Sequence, residues 1–246
     1  MTRLLAALLM VTCSTLSDAT LAQSGTYPTK PVRLIVPSPP GDGSDLMARA
    51  IGERLSQALG QPVVVDNRPG AGGRVGTEAA AKAAPDGYTL IMGNAGSHGI
   101  NSALYRDLTY DIERDFVAVT QVMRAPNVLV VNGALPAKNV TEFIALLKAS
   151  PGKYSYGSGG NGSSAHFTAE LFKSMAGVDI AHIPYKGATP ALTDVIAGQV
   201  VMFMGNLPPA MGHIKSGRVR ALAVTTAPTP PSSAASASPS WSRVGL

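Results

Sequence analysis

Two stretches of this 246-residue chain concentrate groups that could grip an anion. The first, residues 37–49, reads P-S-P-P-G-D-G-S-D-L-M-A-R. The second, residues 157–164, reads G-S-G-G-N-G-S-S. Each follows a short apolar run and opens a segment with helical spacing. A turn at such a junction aims several backbone N–H groups, and the positive end of a helix dipole, at one point. That geometry holds an anion without a lysine or arginine. In the first stretch, Gly41-Asp42-Gly43-Ser44-Asp45 fits anion capture by amides and the Ser44 hydroxyl. It fits equally an ordinary strand-to-helix turn with Ser44 or Asp45 as N-cap. Asp45 itself is expected to cap or brace the turn, because it would repel an anion. In the second stretch, Gly157-x4-Gly162 is followed by Ser163, which is the outline of a phosphate loop without its lysine. Nucleotide hydrolysis is therefore not expected, while backbone capture of a carboxylate stays open.

Other chemistries find less support. Residues 70–76, G-A-G-G-R-V-G, come close to a dinucleotide fingerprint, but the third glycine falls one position late and no acidic residue follows the next strand. No cofactor is expected, and Asn67 and Arg68 are read as pinning that loop. The histidines, His98, His166, His182 and His213, include no His-x3-His pair, so no metal site is expected. His166 lies one helical turn after Gly162 and either lines a pocket or packs within its helix. Ser163 and His166 are too local to make a convincing nucleophile and base, and a Gly-x-Ser-x-Gly elbow is missing. A serine hydrolase stands third among the functions considered, and the chain is not expected to be an enzyme.

These turns need strands and helices to hold them. Residues 32–36 (V-R-L-I-V) form a buried-type strand. Leu46, Ala50, Ile51, Leu55, Ala58 and Leu59 then recur at helical spacing, up to Gly60. Strands are expected at 62–65 and 88–92, with an alanine-rich helix at 77–84 between them. Residues 104–115 read as polar and irregular. Two apolar runs, 116–122 and 127–131, mark the crossing into a second lobe. There the alternation resumes: a helix capped by Thr141, a strand at 154–156, a helix carrying Phe167, Leu171 and Met175, a strand at 180–184 and a helix at 190–197. A strand at 199–204, a helix at 208–215 and a strand at 219–225 complete it. Alternating strands and helices predict an α/β fold with mostly parallel sheets. Two glycine turns facing each other across a cleft would clasp a carboxylate from both sides.

A mildly basic composition fits an anionic small ligand without being specific to one. The chain is 45% hydrophobic and 14% charged, with a formal charge of +5. Its basic residues are scattered without interleaved aromatics, so no nucleic acid is expected. Residues 1–22 read as a signal peptide. Arg3 precedes a short apolar core, and small residues end at Ala22; a buried N-terminal helix is the alternative. The apolar core is shorter than the roughly 20 residues that span a bilayer. The sole cysteine, Cys13, falls in this leader, so a cleaved chain has neither disulfide nor thiol chemistry. Residues 227–246 are almost all proline, serine and alanine and are expected to be disordered.

Several motifs occur in one order: Tyr27-Pro28-x-Lys30-Pro31-Val32-Arg33-Leu34-Ile35-Val36-Pro37, a Pro-Gly-x-Gly-x-Asp loop, Asn67-Arg68-Pro69-Gly70-Ala71-Gly72-Gly73, and Pro85-Asp86-Gly87-Tyr88-Thr89-Leu90. After them come Tyr156-Gly157-Ser158-Gly159-Gly160-Asn161-Gly162-Ser163, His182-Ile183-Pro184-Tyr185-Lys186-Gly187 and Gly198-Gln199-Val200. Over residues 27–226 the chain resembles the Bug-type (tripartite tricarboxylate transporter) periplasmic solute-binding proteins. The resemblance implies a two-lobed type II periplasmic-binding-protein-like fold, with lobe 1 at 23–123, lobe 2 at 124–220 and a crossing strand at 221–226. It implies a monomer in the periplasm that captures a small carboxylate and delivers it to membrane permease subunits. Carried over residue by residue, the ligand loops are Pro40, Gly41, Gly43, Ser44 and Asp45, and Ser158, Gly159, Asn161, Gly162 and Ser163. Asn94, Ser97, Tyr185, Lys186 and Asn206 either line the pocket or brace loops. Relatives continue with elements that complete lobe 1 where this chain has its Pro/Ser/Ala tail. The C-terminal part of lobe 1 is therefore expected to be missing, and a truncated or frameshifted non-binding relative is the second reading.

Overall fold

The computed structural model describes residues 27–225. The leader expected at 1–22 and the tail expected at 227–246 lie outside them.

The first lobe is built on β1 (Val32–Val36), flanked by β2 (Val63–Asn67) and β3 (Thr89–Ile91) in an all-parallel sheet of order β2-β1-β3. Leu34 stands opposite Val65 on one side and Leu90 on the other. Parallel neighbours need a crossover between them. α1 (Gly43–Leu59) supplies the first and α2 (Arg74–Ala81) the second. Gly60, at φ 65°, ends α1 in the left-handed conformation that glycine reaches at least cost. The buried cluster here is small: Leu34, Val36 and Ala48. Ile51, Leu55 and Leu59 of α1, whose spacing located the helix, line an open hollow together with Val32, Leu90 and Met92.

Beyond β3 the chain winds through one π-helical turn (Gly96–Ile100) into α3 (Asn101–Leu104). Ser97, His98, Gly99 and Ser102 offer no apolar stripe that would mark this segment as helical. The apolar run at 116–122 forms no strand. No strand among the described residues pairs with it, and Val117 and Val119 are 91% and 80% exposed.

The second lobe holds β4 (Asn127–Asn132), α4 (Val140–Lys148), β5 (Ser155–Ser158), α5 (Ser164–Ala176), β6 (Ala181–Pro184), α6 (Ala188–Ile196), β7 (Met202–Asn206), α7 (Leu207–Lys215) and β8 (Val219–Val224). Its sheet runs β6-β5-β7-β4-β8. β5 is parallel to both neighbours, and β4 is antiparallel to both of its own. Side chains of β4 alternate between two cores, as the two-residue strand period requires. Leu129 and Val131 join Phe143, Leu147, Tyr156, Phe172 and Met204 on one face. Val128 and Val130 join Leu192, Val195 and Phe203 on the other.

Two local expectations are corrected here. α4 is capped by Asn139, whose side chain accepts from the Glu142 N–H at 2.9 Å, and Thr141 lies inside the first turn. α5 buries Ala165, Ala169 and Phe172, while Phe167, Leu171 and Met175 face outward. Phe172 stacks on Phe143 at 6.1 Å, and that contact chooses the buried face. The whole of β8 pairs with β4, from Val219 opposite Asn132 to Val224 opposite Val128. Its end is tied to the start of β4 by Thr225 N–H to Asn127 O at 2.9 Å and Asn127 N–H to Thr225 Oγ1 at 3.0 Å. No helix among the described residues is long and apolar enough to cross a membrane.

Candidate ligand-binding site

The first glycine turn leaves β1 at Val36 and enters α1 at Gly43. The N-cap is Asp42, and neither Ser44 nor Asp45 fills that role. Asp45 is 2% exposed and works as a brace. One oxygen accepts from the Gly41 N–H at 2.8 Å and from Arg49 Nε at 3.1 Å; the other accepts from Asn67 Nδ2 at 2.9 Å. Burial opposes the charge of Asp45, but these bonds outweigh it and hold the carboxyl below its ordinary range. Asn67 also donates to Ser38 O at 3.1 Å, so the loop after β2 fixes the loop after β1. The Asp42 side chain makes no bond to the first turn of α1. The amides at that helix start are therefore not capped by it.

The second turn joins β5 to α5. Ser158 is fully buried; its hydroxyl accepts from the Gly160 N–H at 3.1 Å and meets His182 Nε2 at 2.6 Å. His182 stacks between Tyr156 at 4.8 Å and His166 at 4.2 Å. Burial first, and His166 second, lower it to about 4, so the imidazole is neutral at pH 7. Ser163 caps α5. Its hydroxyl donates to Gly160 O at 2.7 Å and accepts from the His166 N–H at 3.2 Å. Both roles of that hydroxyl are taken by backbone, and the His166 ring accepts instead from the Gly162 N–H at 3.4 Å. Ser163 and His166 therefore form no nucleophile–base pair. Gly162 needs its φ of 79°, and a Cβ there would lie 2.7 Å from Asn101 Oδ1 of the first lobe.

The two turns face one continuous hollow of about 2350 Å³, which runs on from the cleft over the open face of the first-lobe sheet. It exceeds the roughly 300–1,000 Å³ of a small-ligand pocket because it includes that face. Gly43, Ser44, Asn94, Gly159, Asn161, Ser163, Tyr185, Lys186 and Asn206 line it; Pro40, Gly41, Asp45, Ser97, Ser158 and Gly162 are set back from its surface. Ser97 is buried and exchanges bonds with Asn94: its N–H donates to Asn94 Oδ1 at 3.0 Å, and its hydroxyl accepts from the Asn94 N–H at 3.1 Å. The Tyr185 hydroxyl donates to Asp194, and burial together with that carboxylate raises it to about 12. Lys186 is exposed at the rim. Asn206 reaches across the cleft, with Nδ2 3.3 Å from where a Cβ on Gly43 would sit.

Three residues near the turns were not singled out from the sequence. Asp42 lines the hollow, Asn101 is buried against Gly162, and Thr189 stands 3.4 Å from the Cβ position of Gly41. Asp42 was legible as a residue of the turn, but a reading in terms of anion capture gives a carboxylate no task. Asn101 and Thr189 come from distant segments and carried no signal. Among the described residues, no group of three or more His, Cys, Asp or Glu could hold a metal.

Two α/β lobes whose helix-opening turns face a shared hollow have the build of a solute-binding protein of the periplasmic type. The chain belongs to the tripartite tricarboxylate transporter receptor family, whose profile it matches over residues 47–231. That is a family of transport receptors and not of enzymes. The chain is 42% identical over 225 residues to Protein BugT of Bordetella pertussis, covering 91% of this chain and 69% of the relative. Among solved structures, R. palustris Rpa4515 with adipate is 41% identical with a TM-score of 0.80, covering 82% of this chain and 67% of that one. MatC (Rpa3494) from Rhodopseudomonas palustris with bound malate is 31% identical with a TM-score of 0.77, covering 81% and 68%. The chain thus spans about two thirds of the length of these relatives.

Proposed function

We propose that the protein captures a small carboxylated metabolite between its lobes and delivers it to the membrane permease subunits of a tripartite tricarboxylate-type transporter. The observation that carries this reading is the opposition of two helix-opening turns that hold no lysine or arginine, one around Ser44 and one around Ser163, across one hollow. Their amides, hydroxyls and carboxamides suit a carboxylate, and relatives with adipate and with malate bound make a dicarboxylate the first ligand class to try. Of the residues carried over from the family motifs, Gly43, Ser44, Asn94, Gly159, Asn161, Ser163, Tyr185, Lys186 and Asn206 face the ligand, while Pro40, Gly41, Asp45, Ser97, Ser158 and Gly162 shape the turns from behind. Closure turns the lobes about the crossings at residues 121–126 and 220–224. The leader directs export, with cleavage after Ala22 and release into the periplasm as a monomer.

A second reading, a relative that has lost binding, is favoured by the open apolar face of the first-lobe sheet. One experiment separates the two. Thermal shifts are measured with mono-, di- and tricarboxylates and aromatic acids. The receptor reading expects a concentration-dependent rise with at least one acid, about 2.7 kcal/mol at a hundredfold excess over Kd. A melting point unmoved by every acid in the panel sinks it.

A further inference from the structure

Asp42 caps a helix that is not its own. It is the N-cap of α1 but makes no side-chain bond there. Its Oδ1 accepts instead from the Ala188 N–H at 2.9 Å, the first residue of α6 in the opposite lobe. The N-cap of α6 is Gly187, which has no side chain to offer. The lobes are in tight contact around this bond. A Cβ on Gly187, at φ 121°, would lie 2.1 Å from Pro39 Cγ and 3.5 Å from Asp42 Oδ2. The bond therefore belongs to the shut cleft, and forming it takes part of the water from the carboxylate, which stays half-buried at the edge of the hollow.

We infer that closing of the cleft is proton-linked through Asp42: the ionised carboxylate resists the loss of water that closure imposes, and the protonated carboxyl docks on α6 without that resistance. Burial pushes Asp42 from 3.8 up to about 6; the Ala188 N–H pulls it back in part, and the charge of Asp45 adds to the rise. In an open cleft the group is hydrated and keeps its ordinary value. The closed form therefore holds the proton more tightly, and closure becomes easier as pH falls from about 6 towards 3.8. Above about 6 the group is ionised in both forms and closure is least favoured. A difference of about two units corresponds to a change on the order of a hundredfold in the closing constant.

Other charges face this contact from each neighbouring element. On α1, Asp45 is held by Arg49; on α6, Asp194 is held by the Tyr185 hydroxyl. Lys186 lies exposed on the loop before α6, and Asn206 at the start of α7 is neutral. His98, after β3, lines the same hollow, and burial lowers it from its ordinary value, so it must be controlled for.

The test is energy transfer between fluorophores on Glu53→Cys in α1 and Lys148→Cys in α4, in the full chain carrying Cys13→Ser. It is run without ligand from pH 8 to pH 5. The closed fraction is expected to rise as pH falls through about 6. Asp42→Asn keeps an acceptor for the Ala188 N–H but cannot ionise, so its closed fraction should be high and flat. His98→Gln should titrate like the parent. A flat parent curve, an Asp42→Asn curve that follows the parent, or loss of the response in His98→Gln overturns the inference. Because no acid is present, this outcome is independent of whether the ligand panel succeeds.

Discussion

Replacing Asp45 with alanine tests whether the first turn is held from behind or holds itself. The carboxylate ties the Gly41 amide at 2.8 Å, the Asn67 carboxamide at 2.9 Å and Arg49 at 3.0 Å. Arg49 is 54% exposed, and an ion pair with one arm in water contributes at most about 1 kcal/mol. The two inner bonds are different. Both donors stay partly buried after the substitution, and a hydrogen bond to a charged group contributes about 1.5–3 kcal/mol. Counting each inner bond at the low end and the arginine near zero, Asp45→Ala should lose about 3 kcal/mol in urea unfolding at pH 7. Asp45→Asn keeps the shape but turns an NH2 towards one of the two donors, so about half the loss is expected. The sign of the pH dependence follows from a folded-state carboxyl held below its ordinary value. Its contribution is present above the unfolded value of about 3.9 and disappears as pH falls through the lower folded value. The acid limb of stability should therefore be shallower in Asp45→Asn than in the parent. A loss below about 1 kcal/mol for Asp45→Ala would show that the turn keeps its shape without the brace, and the reasoning about the first half of the site would fail.

Two further substitutions separate closure from capping. Gly162→Ala places a Cβ 2.7 Å from Asn101 Oδ1 across the cleft and forces alanine to φ 79°. The backbone strain should lower stability by about 1–2 kcal/mol, while affinity for whichever acid the panel identifies should fall at least about tenfold, because the closed state is blocked; calorimetry showing unchanged affinity would refute the contact. Ser163→Ala removes the cap of α5 and should lose about 1 kcal/mol in urea unfolding. Ester turnover should be absent in both parent and variant, since the hydroxyl is committed to Gly160 O and the His166 N–H.

The alternation of strands and helices was legible because most of the short apolar runs are strands and most helices stop within a few residues of a glycine or proline. Periodicity identifies which residues share a face, but whether that face is covered depends on what packs there. Phe167, Leu171 and Met175 mark α5 correctly as a helix, yet the sheet takes the face with Ala165, Ala169 and Phe172. The small alanines let the helix sit close to β5 and β7, and Phe172 reaches Phe143. Likewise the spacing of Leu46, Ile51, Leu55 and Leu59 locates α1, although Leu46 is exposed and the other three line the hollow. The run at 116–122 has strand composition, but a strand exists only beside a partner, and none of the described strands offers its edge there.

The site divides along the same physical line. Local chemistry revealed both turns, because glycines that need positive φ and serines that open helices are matters of a few consecutive residues. Relations between the lobes were silent. Asn101, Thr189 and Ala188 meet the two turns only after the chain has folded and the cleft has shut. Asp42 shows why this matters for function. Read within its own turn it is a spare carboxylate beside an anion seat, a local conflict of the kind that strains a fold. Read across the cleft it supplies the cap that Gly187 cannot, and once protonated it does so without the cost of taking water from a charge. A residue unfavourable in one lobe and satisfied by the other gives the closed state something the open state lacks, and differential contacts of that kind are what set the balance between two conformations.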